Sequence, residues 1–295
     1  MKNSVFLVTF LFSLIIAGCK AEKRSDQISI VSSDAKVQKL ADGFKFTEGP
    51  TADSKGNIFF TDIPNSRIHK WSLDGQLSTF MEDSGRTNGL FFDKKGNLLA
   101  CVGGRGQLVS IDSNGNVTVL ADKYDGKPFN SPNDLWMHPE RGIYFTDPRY
   151  GNRDNLPQDG EHVYYFSADR KRLIRVIDDM IRPNGVIGTA DGKLLYVADH
   201  GADKTYVYKI NTDGTLSDKK LFALQGSDGM SIDELANIYL TKTAVTVFNK
   251  SGMLLQSIEI PEKPSNLCFG GKDKKTLFIT ARTSLYSIKM QVKGN

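Results

Sequence analysis

The chain lacks the features that most quickly assign a function. Of its 295 residues only three are cysteine and four histidine, and the formal charge is only +4. With no basic run to concentrate that charge, there is no electrostatic footprint for DNA or RNA, and nucleic acid is not an expected partner. The Gly-x-Ser-x-Gly pattern does not occur, so a serine-hydrolase nucleophile elbow is excluded. Gly103-Gly104-Arg105-Gly106 is rich in glycine but follows a strand without opening a helix, unlike a phosphate-binding loop. The one long apolar run, residues 5–17, falls short of the ~20 residues that a membrane-spanning helix needs.

That run is instead expected to be a targeting segment, with Lys2 as its positive start. Its end, Ile16-Ala17-Gly18-Cys19, resembles the lipobox of bacterial lipoproteins, in which the cysteine is lipidated, rather than an ordinary secretory signal. The resemblance implies a signal peptide over residues 1–18 and a membrane anchor through Cys19, with the protein in the cell envelope, at the outer membrane or facing the periplasm. Residues 19–34 read as a polar tether and 35–295 as one folded domain, 39% of the whole chain being hydrophobic. Cys101 and Cys268 fall in repeats that are not neighbours, so free thiols are expected rather than a disulfide.

What the chain does have is a repeat. An acid or amide stands just ahead of an apolar strand at Glu48, Asn88, Asn133, Asn184, Asp228 and Asn266, at spacings of 40, 45, 51, 44 and 38 residues. Such a period marks propeller blades or helical solenoids. The apolar segments, such as Ile58-Phe59-Phe60-Thr61 and Ile143-Tyr144-Phe145-Thr146, are short, β-branched and aromatic, which selects strands. Each repeat divides into four strands with Asp-Gly or Asn-Gly turns, as at Asn114-Gly115 and Asp213-Gly214. The expected fold is therefore all-β, a six-bladed propeller with four antiparallel strands per blade. The sixth repeat lacks its last strand, which residues 37–41 are expected to supply, closing the ring.

Antiparallel order puts all six acid or amide residues on one face, with Asp62, Asp147 and Asp199 in an outer ring around them. The 148–160 loop, including Arg149 and Tyr150, lies on that face and is expected to cover it. An Asn or Asp before a strand can merely cap a turn, a reading that suits Asn88 and Asn266 taken singly. Glu48 and Asp228 are different, because two carboxylates among amide oxygens repel one another and ask for a hard cation such as calcium or magnesium.

Taken together, Thr47-Glu48-Gly49-Pro50, Ser131-Pro132-Asn133-Asp134, the run from Ile143 through Thr146-Asp147-Pro148-Arg149-Tyr150-Gly151, Arg182-Pro183-Asn184-Gly185, Ser227-Asp228-Gly229-Met230 and Cys268-Phe269-Gly270-Gly271 resemble the gluconolactonase and senescence-marker-protein (regucalcin) propellers. The resemblance spans nearly all of the chain beyond the tether. It implies a single divalent ion held by Glu48, Asn184 and Asp228, with Asn133 as a further ligand or a substrate contact; calcium is the first choice, with magnesium, manganese and zinc as alternatives. Vertebrate relatives carry an Arg just before the equivalent of Asn133, where this chain has Ser131-Pro132, a departure that resembles the bacterial lactonases.

The implied activity is hydrolysis of a sugar lactone by a monomer. The metal would polarise the carbonyl and Asp228 would act as general base for water, or as a nucleophile. Asn88, Asn133, Asp147 and Tyr150 are the expected substrate contacts. His200, at the rim, is expected to be a solvated surface residue. Two other readings stay open at this point: phosphotriester hydrolysis on the same metal site, and a surface-anchored binding propeller without catalysis.

Overall fold

The computed structural model describes residue 1 and residues 29–295. The expected signal segment, the lipidation at Cys19 and most of the tether lie outside the described residues.

Six sheets of four antiparallel strands make a six-bladed propeller. Blade 1 runs Thr47–Ala52, Ile58–Asp62, Arg67–Trp71 and Leu77–Met81. The first strands of successive sheets touch one another in a closed circle, so they line the central channel. Burial follows the same order: Ile58–Asp62 and Leu98–Val102 are buried throughout, whereas the outermost Leu77–Met81 and Val117–Ala121 are largely exposed. Blade 6 takes its fourth strand from the N-terminal side of the domain, Gln38–Asp42 pairing with Ser284–Lys289 in the register Gln38 to Ser287 and Asp42 to Ser284. This is the expected closure displaced by one residue, and it leaves no inner sheet edge unpaired.

One turn chemistry recurs on the face opposite the mouth. Asp53 accepts the N–H groups of Lys55 and Asn57 on one oxygen, both at 2.9 Å, and the Asn57 amide on the other at 2.7 Å. Asp93, Asp112 and Asp233 repeat the pattern with Asn97, Asn116 and Asn237. A single carboxylate thus satisfies a whole turn, which explains why this face needs only short connections.

At the mouth the innermost strands are irregular where the repeat residues sit. Register shifts fall between Glu48 and Thr51, between Thr87 and Leu90, and between Pro183 and Val186. A bulge of this kind re-aims a side chain, here out of the ladder and into the channel. The displaced carbonyls are taken up by buried threonines of neighbouring strands: Thr61 donates to the Asn88 carbonyl at 3.2 Å and Thr241 to that of Ser265 at 2.7 Å. Gly49, at φ +48°, and Gly229 make the close approach feasible, since a Cβ would lie 2.1 Å from the Asn88 carbonyl oxygen in the first case and 1.9 Å from the Asn266 side chain in the second.

Candidate functional site

Four of the six repeat residues, Glu48, Asn88, Asn133 and Asp228, line one cavity of ≈ 550 Å³ at the mouth of the channel. Its walls also include Phe46, Ile63, Arg86 and Tyr150. The other two stand behind it. Asn184, only 1% exposed, donates through its amide to Asp228 at 2.7 Å and to the Tyr150 hydroxyl at 2.6 Å. Asn266 accepts the N–H of Leu267 at 2.8 Å, as a turn cap would, but also donates to Glu48 at 3.0 Å. It therefore holds Glu48 in place from below.

The two carboxylates of the cavity are short of donors. Glu48 receives the Gly49 N–H at 2.8 Å and the Asn266 amide; among the described residues Asp228 receives only the Asn184 amide. No Lys, Arg or His forms an ion pair with either among the described residues. Burial, with Asp228 next in strength, pushes the Glu48 carboxyl well above the usual carboxylate range, and burial raises Asp228 as well against the pull of His200. A third carboxyl, Asp134, sits deeper and is pushed up to about 7 by burial, against the N–H of Leu135. It was legible only as part of the Asn133-Asp134 pair, where four of the other five repeats carry glycine after the acid or amide.

The outer ring does something else. Asp199 accepts four backbone N–H groups, from Ile181 and Arg182 at 3.0 Å and from Gly201 and Ala202 at 3.1 Å. Asp62 takes those of Lys45 and Phe46. Asp147 takes those of Asn130 at 2.8 Å and Ser131 at 2.7 Å; it is fully buried and absent from the cavity wall. The expectation that Asp147 contacts substrate is corrected accordingly: its carboxyl clamps the entry to blade 3, and burial raises it to about 7 in spite of those N–H groups. Each of these aspartates ends the second strand of its blade and ties down the segment that leads into the first.

Tyr150 does reach the cavity. Although 43% of the residue is exposed, its hydroxyl turns inward to Asn184, and burial followed by the Asp228 charge pushes that hydroxyl upward. The Arg182 guanidinium lies 5.1 Å from the ring centre and His200 meets the ring edge-on at 6.1 Å. The rest of the loop is anchored by Glu161, 1% exposed in its side chain, which pairs with Arg153 at 2.6 Å and Arg182 at 3.7 Å. Cys101 and Cys268 are free, as expected.

Among the described residues no group of three or more His, Cys, Asp or Glu side chains is gathered in metal-binding geometry. The oxygen set at the mouth is mixed, two carboxylates with amides, and it fits a hard cation on its own terms. Glu48 and Asp228 repel each other in a buried setting, and the side-chain oxygen of Asn88 is buried with no partner.

Comparison with known proteins agrees with this architecture. The SMP-30/Gluconolactonase/LRE-like region matches residues 46–283. A gluconolactonase of Zymomonas mobilis is 29% identical over 93% of this chain and 86% of its own length. The solved structure of XC5397 from Xanthomonas campestris, described as a gluconolactonase of glucose secondary metabolism, is 28% identical with a TM-score of 0.83, covering 88% of this chain and 91% of that one. The calcium-binding regucalcin of Agrobacterium tumefaciens, at 19% identity and a TM-score of 0.76 over 88% of this chain and 95% of its own, shares the fold.

Proposed function

The chain belongs to the SMP-30/gluconolactonase/LRE-like family, and from that premise we propose that it is a lactone hydrolase that opens sugar lactones with the aid of one divalent cation, calcium being the best match to an all-oxygen donor set. The observation that carries the reading is the buried, donor-poor pair Glu48 and Asp228 facing a single cavity with the unpartnered oxygen of Asn88.

Glu48, Asn184, Asp228 and Asn133 would hold the ion, which when bound supplies Lewis-acid polarisation of the lactone carbonyl. Asp228 takes the proton of the attacking water. One of its oxygens is fixed by the Asn184 amide at 2.7 Å, which orients the carboxylate and leaves the other to act as base. Asn266 holds Glu48 rigid beneath it. The free oxygen of Asn88 accepts a sugar hydroxyl, Asn133 contacts a second, and Tyr150 covers the ring while Phe46 and Ile63 keep bulk water from the flanks. Proton transfer to the ring oxygen then releases the open-chain acid.

The test is a panel of aldonolactones assayed with purified protein whose metal content is measured on the same sample. Chelation should abolish turnover and calcium should restore it; Asp228→Asn should lose at least about a hundred-fold in kcat while still binding the ion. Turnover that survives chelation removes the cation from the mechanism, and an active Asp228→Asn removes the base. We propose further that Cys19 carries a lipid anchor; Cys19→Ser should move the protein from the membrane fraction to the soluble one, and a protein that stays with the membrane rejects the anchor.

A further inference from the structure

Two arginines stand at the mouth of the channel. Arg86 and Arg149 line the cavity, and neither has an ion-pair partner among the described residues. Acids on the same rim are engaged elsewhere: Glu82 by Arg67 at 2.7 Å, Asp83 by Arg105 at 3.1 Å, Asp203 by Lys242 at 2.6 Å, and Glu161 by Arg153 and Arg182. The charges that act most on Asp228 are His200, Lys263 and Arg282, and those on Glu48 are Asp228 and Asp134. Arg86 and Arg149 are not among them; the Arg149 charge acts instead to lower the buried Asp147 carboxyl.

Both arginines are held by local structure. Arg86 sits at φ +59°, a left-handed conformation that is strained for a residue bearing a Cβ. Its stem lies flat against Gly104, where a Cβ would stand 3.0 Å from the Arg86 Cβ and 3.1 Å from its Cδ. Gly104 therefore makes room for Arg86, which accounts for one of the glycines in the Gly103-Gly104 pair. Arg149 has its Nε buried without a partner, an orphaned donor at the cavity wall. A guanidinium that lines a binding cavity without an ion-pair partner is suited to a planar or tetrahedral oxyanion, which it can grip through two N–H groups.

We infer that the lactone opened here carries an anionic substituent, a carboxylate or a phosphate, and that Arg86 and Arg149 receive it on the side of the cavity away from Asp228. Lys263 and Arg282, exposed on the opposite side of the mouth, add a positive field that draws such a substrate in. The inference rests on the lactonase reading and narrows it: the ester is attacked at Glu48 and Asp228, and the arginines choose which lactone is presented.

The experiment compares kcat/KM for three probes on the calcium-loaded protein: neutral glucono-δ-lactone, glucarolactone with its carboxylate, and the phosphorylated gluconolactone. At least one anionic probe should exceed the neutral one by about ten-fold, and its advantage should shrink as salt is raised. Arg86→Gln and Arg149→Gln should each lower the anionic-to-neutral ratio by about ten-fold, with Arg86→Lys retaining part of it. The carboxylate and phosphate arms identify which oxyanion is read, and the salt dependence of the unaltered protein stands even if a variant folds poorly. Hydrolysis of the neutral lactone with no preference for either anion overturns this inference and leaves the lactonase reading intact. If no lactone is opened, the lactonase reading falls and takes the inference with it.

Discussion

The clamp at Asp199 offers a direct test of how the site is held. Its carboxylate is 3% exposed and takes four backbone N–H groups, three on Oδ1 and that of Ile181 on Oδ2. Asp199→Asn keeps the shape but turns Oδ2 into an N–H donor facing the Ile181 N–H. One charge-assisted bond is lost, worth about 1.5–3 kcal/mol, and the other three fall to neutral strength, roughly half. Allowing water to rescue the Ile181 N–H beside an exposed side chain, the net cost is about 2–4 kcal/mol. In a domain of this size that lowers the melting temperature by roughly 5–15 °C. Urea titration followed by near-ultraviolet circular dichroism would measure it, with Asp122→Asn as control, since Asp122 is exposed and should shift stability by less than about 0.5 kcal/mol. Because Asn184 lies two residues beyond the clamped Arg182, calcium affinity should weaken as well. If Asp199→Asn stays within about 1 kcal/mol of the parent, the clamp reasoning is refuted for all three blades.

Burial acts to raise the Glu262 carboxyl, but the hydroxyl of Ser284, the N–H and hydroxyl of Thr283 and the hydroxyl of Tyr286 outweigh it and hold the group at about 2, against an ordinary 4.5. A depressed carboxyl stabilises the fold fully above the unfolded value and loses that contribution as pH falls through the folded one; stability should therefore decline from about pH 4.5 to about pH 2, and Glu262→Gln, less stable at neutral pH, should show a shallower decline. Equal slopes in the two proteins would discount this group. Gly188→Ala places a Cβ 2.3–2.5 Å from the Trp136 ring and should cost about 1–3 kcal/mol with a shift in tryptophan fluorescence; an unperturbed spectrum would mean that the ring yields freely. Calcium at about a hundred times its dissociation constant should add about 2.7 kcal/mol of stability, read as a rise in melting temperature that chelator reverses. No rise would exclude a folded-state calcium site.

Most of the architecture could be read from the chain because it depends on local order. Strand period, turn residues and antiparallel return determine which face a residue occupies, and Glu48, Asn88, Asn133 and Asp228 do share one cavity. The closing strand was displaced only by a residue, since the gap it fills is set by the unpaired Ser284–Lys289. Less legible was anything decided by direction within the ring. Asn266 and Asn88 occupy equivalent places in the repeat, yet Asn266 is turned down to hold Glu48 and Asn88 keeps a bare oxygen. Asp134, in the sequence only the residue after Asn133, proves to be a buried carboxyl. Such differences arise from bulge geometry and from the neighbouring blade, neither of which leaves a periodic trace in sequence.

The mouth contains two kinds of aspartate that no pattern of residue types tells apart, and the supply of donors separates them. Asp199 meets four N–H groups and Asp62 at least two, so each is satisfied by the chain alone and its charge serves the fold. Asp228 meets one amide and Glu48 one N–H and one amide, at a place where burial makes an unpaired charge costly. A folded protein does not keep two such carboxylates side by side without compensation, and no cationic side chain among the described residues bonds them. A shared proton or a cation from outside the chain would supply the missing compensation. That deficit, more than the identity of any one residue, argues for a cation at Glu48 and Asp228, while Arg86 and Arg149, at the cavity wall without an ion pair among the described residues, are placed to meet an anion on the substrate.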